Sequence, residues 1–234
     1  MKNPISKRLL TAAKLVDKGA RVADIGCDHG YLSIYLIQNN LASYVCASDL
    51  RSGPLDAARK NAERFCVSDK IDFVLADGFA GVNPDAVDTL ICCGMGGDLI
   101  HKIIERSGWV KNEKYTMILQ PQSGQSEFRK WLCAEGFSIL EEVPVFDDRF
   151  IYFAMKVRYT GETTVLSAGE AYLTKQMLQS GSDDLDKYID RVLLSLEKSI
   201  SGMEKAAKPD GKLDEFKAAR AEILAAREKL YESI

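Results

Sequence analysis

The chain has 234 residues, of which 46% are hydrophobic, and a formal net charge of −3 at pH 7. This length and apolar content suffice for one full core with a smaller appended unit. No apolar run reaches the roughly 18 residues that a membrane span requires. The N-terminal stretch carries charge without an apolar signal region, so we expect a cytoplasmic protein without a membrane partner. The negative net charge provides no general argument for nucleic acid.

The cysteines and histidines predict a reduced protein without a metal site. Six cysteines occur without a Cys-x-x-Cys pair, and the chain has only two histidines. A zinc site needs clustered Cys and His ligands, and this pattern does not supply them. We therefore expect mostly buried, reduced thiols and no metal.

Positive charge is concentrated at the beginning of the chain. Leu9, Leu10 and Ala13 have the spacing of an opening helix. Residues 1–21 hold six Lys or Arg, Lys7 and Arg8 among them, and one Asp, which is a local charge of +5. Two interpretations stay open, a solvated helix face or a contact with RNA.

Strand-like and helical segments alternate from residue 4 to about 157. The strand candidates are near-continuous apolar runs, as expected where helices cover both faces of a parallel sheet. Asp147-Asp148-Arg149 joins the last two runs as a hairpin turn. We predict strands at 21–25, 43–49, 70–76, 87–93, 115–120, 137–146 and 150–157, and helices near 31–39, 53–65, 97–106 and 124–134. Five parallel strands that end in an antiparallel hairpin resemble the seven-stranded, Rossmann-like α/β sheet of class I methyltransferases. A nicotinamide dehydrogenase would more often keep all of its strands parallel.

After Tyr159 the pattern changes from α/β to helical. Apolar residues from Leu185 to Met203 recur every three or four positions, which predicts an amphipathic helix. Lys208-Pro-Asp-Gly211 breaks it, and a second helix follows from Leu213 to Leu230. We expect a coiled-coil-like helical hairpin that serves as a dimerisation arm, as a packing brace or as a grip on an extended substrate. The predicted domains are residues 1–160 and 161–234, in a monomer or weak homodimer.

The most informative stretch is Val22-Ala-Asp-Ile-Gly-Cys-Asp-His-Gly-Tyr-Leu32, which has the pattern of a strand, a glycine turn and a helix start. Gly26 and Gly30 let the backbone pass close to a ligand, as in the cofactor loop of an open α/β sheet. The spacing is Gly-x-x-x-Gly, unlike the Gly-x-Gly-x-x-Gly that meets a pyrophosphate. Asp24 and Asp28 disfavour a phosphate and suit a cation, such as the amino group and sulfonium of S-adenosylmethionine.

Acidic residues also close the next two strands. Asp49 ends Cys-Ala-Ser-Asp, where its carboxylate can accept both ribose hydroxyls; the alternative is a helix N-cap. Asp77-Gly78 can receive an adenine amino group; the alternative is a simple turn pair. His29, beside Asp28, either faces the substrate or is structural.

The fourth strand ends in a glycine-rich loop, Cys92-Cys93-Gly94-Met95-Gly96-Gly97. Its glycines let a flat ring approach the backbone, and their carbonyls can accept hydrogen bonds; the alternative is a turn without a ligand. The Asn/Asp-Pro-Pro-aromatic motif of many amino-group methyltransferases is absent. Gln120-Pro121-Gln122 ends the fifth strand and would form the opposite wall.

With these residues together, the chain resembles the bacterial tRNA (adenine-N1)-methyltransferase family that modifies adenosine 22 of tRNA, the TrmK family. The resemblance covers nearly the whole chain. Ala, Pro and Asn are typical of the family where this chain has Gly30, Ser33 and Gln122. The resemblance rests on Asp24–Leu32, Gly53-Pro54, Asp77-Gly78, Cys93–Gly97, Gln120-Pro121 and Arg129-x-Trp-Leu132.

The resemblance implies S-adenosylmethionine as donor, tRNA as partner, and a C-terminal domain used with tRNA. Adenine N1 already carries a lone pair, so the protein mainly aligns nitrogen, carbon and sulfur within roughly 3–3.5 Å, after the base has been flipped outward. The expected catalytic residues are His29, Asp28, Gly94 and Met95. The expected cofactor contacts are Asp24, Gly26, Cys27, Asp28, Gly30, Asp49, Leu50, Asp77, Gly78, Cys93 and Gly94. The expected substrate contacts are Gly96, Gly97, Gln120, Pro121 and Gln122, with Lys7, Arg8, Arg51 and Arg129 on phosphates.

Three other functions stay open at this point. The first is methyl transfer to another RNA, a protein or a small molecule, although a small substrate has no need of a helical hairpin. The second is a non-catalytic RNA-binding module, which would have no physical need for Asp24, Asp49 and Asp77 together. The third is a nicotinamide dehydrogenase, which the glycine spacing disfavours.

Overall fold

A computed structural model describes residues 4–205 and 211–232 of the protein. The predicted strands and helices of the first 160 residues are confirmed, with bounds that agree within two residues. The strands are β1 (Ala20–Ile25), β2 (Ala42–Asp49), β3 (Ile71–Leu75), β4 (Thr89–Met95), β5 (Thr116–Pro121), β6 (Phe137–Asp147) and β7 (Phe150–Tyr159). The α-helices of the described ranges are α1 (Lys7–Lys14), α2 (Tyr31–Gln38), α3 (Ser52–Arg64), α4 (Gly97–Glu105), α5 (Gln125–Ala134), α6 (Lys175–Leu178), α7 (Leu185–Glu204) and α8 (Lys212–Glu232).

The seven strands form one sheet in the order β3-β2-β1-β4-β5-β7-β6. The first five are parallel, and β7 runs antiparallel between β5 and β6. The chain therefore moves outward from β1 to β3 and then returns to the other side of β1 to begin β4. This reversal opens a crevice at the carboxyl ends of β1 and β4, where ligands bind in open α/β sheets. The predicted Rossmann-like sheet with a terminal hairpin is confirmed.

Two hydrophobic clusters fill the two faces of the sheet. Residues of α1, α2 and α3 form the cluster on one face. Residues of α4, α5 and the C-terminal helices form the cluster on the other face. Every residue of β5 is buried, which explains why the central strands are apolar runs without alternation. Among the helices of residues 4–205 and 211–232, none combines the length and apolarity needed to cross a bilayer.

The C-terminal helices α7 and α8 lie antiparallel, so the predicted helical hairpin is confirmed. Residues later in α8 contact residues earlier in α7. The predicted break at 208–211 lies largely outside the described residues. The contacts that define this direction are Lys217 with Glu204, Arg220 with Glu197, Arg227 with Asp190 and Tyr231 with Asp186. These helices share one apolar cluster with the sheet, and the domain boundary at residue 161 stays a prediction.

A buried polar cluster around Arg129 ties the C-terminal segment to the sheet. The Arg129 side chain on α5 is 0% exposed, and its Nε donates to Glu142 Oε1 on β6 at 2.8 Å. Its Nη1 donates to the carbonyl of Ala171 at 2.9 Å, and its Nη2 to the Tyr188 hydroxyl at 3.0 Å. The Thr174 hydroxyl donates to the second oxygen of Glu142. One guanidinium thus joins the sheet, the connecting segment and α7.

The predicted phosphate contact of Arg129 is wrong. The Arg129 guanidinium is fully buried and donates to three acceptors inside the protein. It therefore has no surface that RNA could contact. Its neighbours are distant in sequence, and for this reason the Arg-x-Trp-Leu motif alone did not predict its burial.

We expect Arg129→Met to lower the free energy of unfolding by about 3–5 kcal/mol, because it leaves the Glu142 carboxylate buried without its cation. Urea denaturation followed by circular dichroism measures this loss. The matched control is Arg220→Met, which removes an exposed pair with Glu197 and should cost less than about 1 kcal/mol. Equal losses in the two variants would contradict the anchoring role.

Candidate active site

A cleft of about 410 Å³ lies at the crevice between the carboxyl ends of the parallel strands. Because these strands end at one edge of the sheet, residues that are distant in sequence converge there. The predicted site residues that line it are Arg8, Asp24, Gly26, Cys27, Asp28, His29, Asp49, Leu50, Arg51, Asp77, Gly78, Cys93, Gly94 and Met95.

Asp24 places a buried carboxylate at the end of β1. Its side chain is 3% exposed, and the Ser33 hydroxyl on α2 donates to its Oδ2 at 2.6 Å. Burial raises the pKa of Asp24 to about 6, against the opposing effect of the hydrogen bonds from Ser33. A carboxylate that has lost most of its water and lines a cleft is suited to receive a cationic group.

Asp49 is held by two backbone donors at the end of β2. The N–H groups of Asp28 and Arg51 donate to its two carboxylate oxygens at 3.1 and 2.9 Å. The residue that precedes α3 is Arg51, so Asp49 does not occupy the N-cap position. Each carboxylate oxygen keeps a second lone pair, which can accept a hydroxyl of a ligand.

The β3 end of the cleft combines one ion pair with exposed apolar surface. Asp77 Oδ2 lies 3.1 Å from Arg106 Nη1. Leu50 and Leu99 line the cleft with 68% and 49% of their surface exposed, which suits a flat, weakly polar group. Gly78 has φ +59°, and a Cβ there would lie 3.0 Å from a methyl of Ile103. The sequence did not predict Leu99 and Ile103 as cleft residues, because apolar residues at helical spacing usually belong to the hydrophobic core.

The glycine turn after β1 packs against the glycine-rich carboxyl end of β4. Gly26 has φ +70°, and a Cβ there would collide with the methyl group of Met95. Gly94 has φ +78°, and its N–H donates to Gln120 Oε1 at 3.1 Å. These glycines therefore allow two backbone segments and a ligand to approach one another closely.

Several predicted contacts are buried supports of the site instead. Gln120 is 0% exposed, and Pro121 and Gly97 are also buried, so their predicted substrate contacts are corrected. Gly97 donates to the Ser123 carbonyl at 2.9 Å, where a Cβ would leave too little space. Gly30 is buried against Ala58 of α3, so its role is helix packing.

The remaining predicted residues lie around the cleft. Lys7, Gly96 and Gln122 lie outside its lining. The His29 side chain is 53% exposed at the mouth of the cleft, with its Nε2 3.8 Å from Asp28 Oδ1. Its role in the reaction stays a prediction. Within the part of the chain that the structure describes, no group of three or more His, Cys, Asp or Glu is placed to hold a metal ion.

A family profile described as "Methyltransferase domain" matches residues 5–155. The chain belongs to this methyltransferase family. The tRNA (adenine(22)-N(1))-methyltransferase of Bacillus subtilis (strain 168) is 34% identical over 148 residues. That match covers 63% of this chain and 62% of the B. subtilis enzyme, which is less than two thirds of its length.

Solved structures resemble the methyltransferase chain over nearly its full length. The B. subtilis M1A22 tRNA methyltransferase TrmK has a TM-score of 0.76 at 27% identity, and the match covers 99% of each chain. M. capricolum TrmK in complex with S-adenosylhomocysteine, its natural cofactor product, has a TM-score of 0.77 at 25% identity, with 97% of each chain covered. S-adenosylmethionine is the methyl donor of this family.

The residues of the cleft fit this donor chemically. The donor carries an ammonium group, a sulfonium, two ribose hydroxyls and an adenine. The methyltransferase cleft offers carboxylates at the ends of three adjacent strands, apolar surface at the β3 end and, at Gly26, a backbone turn without a Cβ.

The pKa of Asp24 predicts how ligand affinity depends on pH. We expect affinity for S-adenosylhomocysteine to fall as the pH is lowered through about 6, because the protonated acid no longer attracts an ammonium group. Asp24→Asn should weaken binding at pH 8 by roughly 10- to 100-fold, the usual range for a lost charge-assisted hydrogen bond, and should flatten the pH profile. Calorimetric titration between pH 5 and 8 measures both effects. Wild-type affinity in the Asn variant would contradict this assignment.

Without ligand, the same substitution should stabilise the protein at pH 7. The folded pKa of Asp24 lies above its unfolded value, so the folded state binds the proton more tightly and loses stability as the pH rises from about 4 through 6. Asp24→Asn removes this cost of up to roughly 3 kcal/mol. Thermal melts at pH 4.5 and 7 should show a clearly larger gain at pH 7 than at pH 4.5.

Proposed function

We propose that the protein transfers a methyl group from S-adenosylmethionine to N1 of adenosine 22 in tRNA. The observation that carries this proposal is the acidic, glycine-lined cleft at the switch point of the sheet. The similarity to M1A22 tRNA methyltransferases along the whole chain supports the choice of substrate.

The proposed donor contacts follow the order of the strands. When bound, S-adenosylmethionine supplies an electrophilic methyl group on a positively charged sulfur. Asp24 receives the ammonium group, and Asp49 accepts the ribose hydroxyls. Leu50, Leu99 and Asp77 surround the adenine. Each of these residues lines the cleft.

The acceptor side needs no general base. N1 of neutral adenine already has a free lone pair, so no proton has to be removed before methyl transfer. The methylated base is positively charged. The carbonyls of the loop at Gly94 and Gly96 can accept hydrogen bonds from the exocyclic amino group. Asp28, whose carboxylate lies at the mouth of the cleft beside His29, stabilises the positive charge that develops on the base.

Exposed cationic side chains near the cleft contact the RNA backbone. Lys7 is exposed on α1, next to a residue that lines the cleft, and the Arg51 side chain is 72% exposed at the β2 end. Phosphate contacts of this kind offset the few kcal/mol needed to flip a base out of the folded tRNA. The helical hairpin of α7 and α8 provides a second extended surface for the same RNA.

Nucleoside mass spectrometry tests the proposed reaction. The protein is incubated with S-adenosylmethionine and an unmodified tRNA transcript that has adenosine at position 22, and the RNA is then digested. We expect 1-methyladenosine, and we expect it to disappear when adenosine 22 is replaced by guanosine. A protein that binds S-adenosylmethionine but forms no 1-methyladenosine would rule out this substrate and leave the donor site intact.

His29→Ala tests whether the mouth of the cleft takes part in transfer. We expect single-turnover methylation to slow by roughly 10-fold or more, because the loss of a positioning side chain lets the base misalign. Affinity for S-adenosylhomocysteine should stay within a factor of about 3. His101→Ala is the control, since that ring stacks 4.0 Å from Trp131 in the scaffold and should affect stability more than turnover. An unchanged rate in His29→Ala would assign His29 a structural role.

A further inference from the structure

Arg8 stands apart from the other basic residues of the N-terminal helix because its side chain forms part of the cleft wall. Its Nη1 donates to Gln120 Oε1 at 2.8 Å, and the guanidinium lies 5.9 Å from the centre of the Tyr152 ring. Its backbone N–H donates to Asp147 Oδ2 at 3.1 Å. Lys7, its neighbour in sequence, is exposed and does not line the cleft. Arg8 is therefore fixed toward the ligand cavity.

Gln120 connects Arg8 to the glycine loop. It is fully buried at the end of β5, and its single side-chain oxygen accepts from both Arg8 and the N–H of Gly94. A Cβ on Gly94 would lie 3.4 Å from Arg8 Nη1. The guanidinium thus lies directly beside the glycine-rich carboxyl end of β4. A guanidinium has five N–H donors, and the bond to Gln120 uses one of them.

The charges of the cleft make this position distinctive. Its lining holds four carboxylates, those of Asp24, Asp28, Asp49 and Asp77. Among the described Lys and Arg side chains, Arg8 and Arg51 line it. Arg51 lies at the β2 end, with its Nε 3.8 Å from Asp49 Oδ1. Neighbouring strands are about 4.8 Å apart, so β2 and β5 are separated by roughly 14 Å, and Arg8 supplies the positive charge at the opposite end.

We propose that Arg8 binds the carboxylate of the methionine part of the donor, while Asp24 receives the ammonium group on the same carbon. An otherwise acidic cleft repels a carboxylate, and a donor with both charges therefore needs one cation near the buried acid. The end of β1, where Asp24 lies, is one strand away from the loop that Arg8 contacts. The inference rests on the proposed use of S-adenosylmethionine and replaces the expected phosphate contact of Arg8.

The test compares two ligands that differ by one carboxylate. Calorimetry measures the affinity of the full chain for S-adenosylmethionine and for decarboxylated S-adenosylmethionine, in wild type and in Arg8→Met. Methionine keeps an apolar stem of similar reach and removes the charge. We expect Arg8→Met to weaken S-adenosylmethionine roughly 10- to 100-fold, as for other charge-assisted pairs, and to change affinity for the decarboxylated ligand less than about 3-fold. Retained binding of the decarboxylated ligand also reports an intact cleft.

Two further variants sharpen the result. Lys14→Met, which changes an exposed lysine at the end of the same helix, should leave the affinity for both ligands unchanged. Arg8→Lys should restore part of the discrimination between the two ligands, since lysine keeps the charge and loses the planar set of donors.

Three results would overturn the proposal. Equal losses for the two ligands in Arg8→Met would assign Arg8 to the scaffold. Unchanged affinity for S-adenosylmethionine, together with weaker tRNA binding, would assign it to a phosphate. A wild-type protein that binds neither ligand would also refute the proposed donor, whereas failure to methylate tRNA with normal ligand discrimination would refute only the proposed acceptor.

Discussion

The burial of Asp24 at the carboxyl end of β1 is the constraint around which the cleft is organised. β1 lies between β2 and β4, at the point where the order of the strands reverses, so its last residues border a crevice. The carboxylate there is 3% exposed, and burial raises its pKa to about 6. In its charged form this acid lowers the free energy of unfolding of the free protein, and a bound cation would offset that loss. The parallel register of β1, β2 and β3 places Asp49 and Asp77 at the same edge of the sheet.

Arg129 carries a second buried charge, and this one is paired with a carboxylate inside the protein. Its guanidinium is matched by Glu142 and by neutral acceptors from Ala171 and Tyr188, all inside the protein. A satisfied buried pair of this kind contributes more to the specificity of assembly than to reactivity. The protein therefore holds a paired buried charge where its C-terminal helices attach, and a buried acid that accepts from the Ser33 hydroxyl in the wall of the cleft. Asp24 lies near the carboxyl end of β1, whereas Arg129 lies on α5 and pairs with Glu142 on β6, so the two charges occupy different parts of the protein.

The cleft also illustrates how a carboxamide can organise a loop that has few side chains. The Gln120 oxygen joins β5 to the backbone of Gly94 and to Arg8 on α1. The glycine loop after β4 thereby has a defined position although its own residues offer little packing. A segment made largely of backbone groups depends on such buried neighbours, because glycine alone costs conformational entropy on ordering.

The sequence by itself determined the alternation of strands and helices, the terminal hairpin, the C-terminal helical pair and the acids at the ends of three strands. These features follow from local patterns, namely apolar runs, helical spacing and residues at strand ends. Such patterns can be recognised without knowing the tertiary structure. Only the tertiary structure decided which polar side chains face the cleft and which are buried. The sequence predicts phosphate contacts for Arg129 and Arg8 and a substrate contact for Gln120, but their hydrogen-bond partners lie between 13 and 112 residues away. Burial and direction of a side chain are set by such distant neighbours, and a linear motif does not contain them.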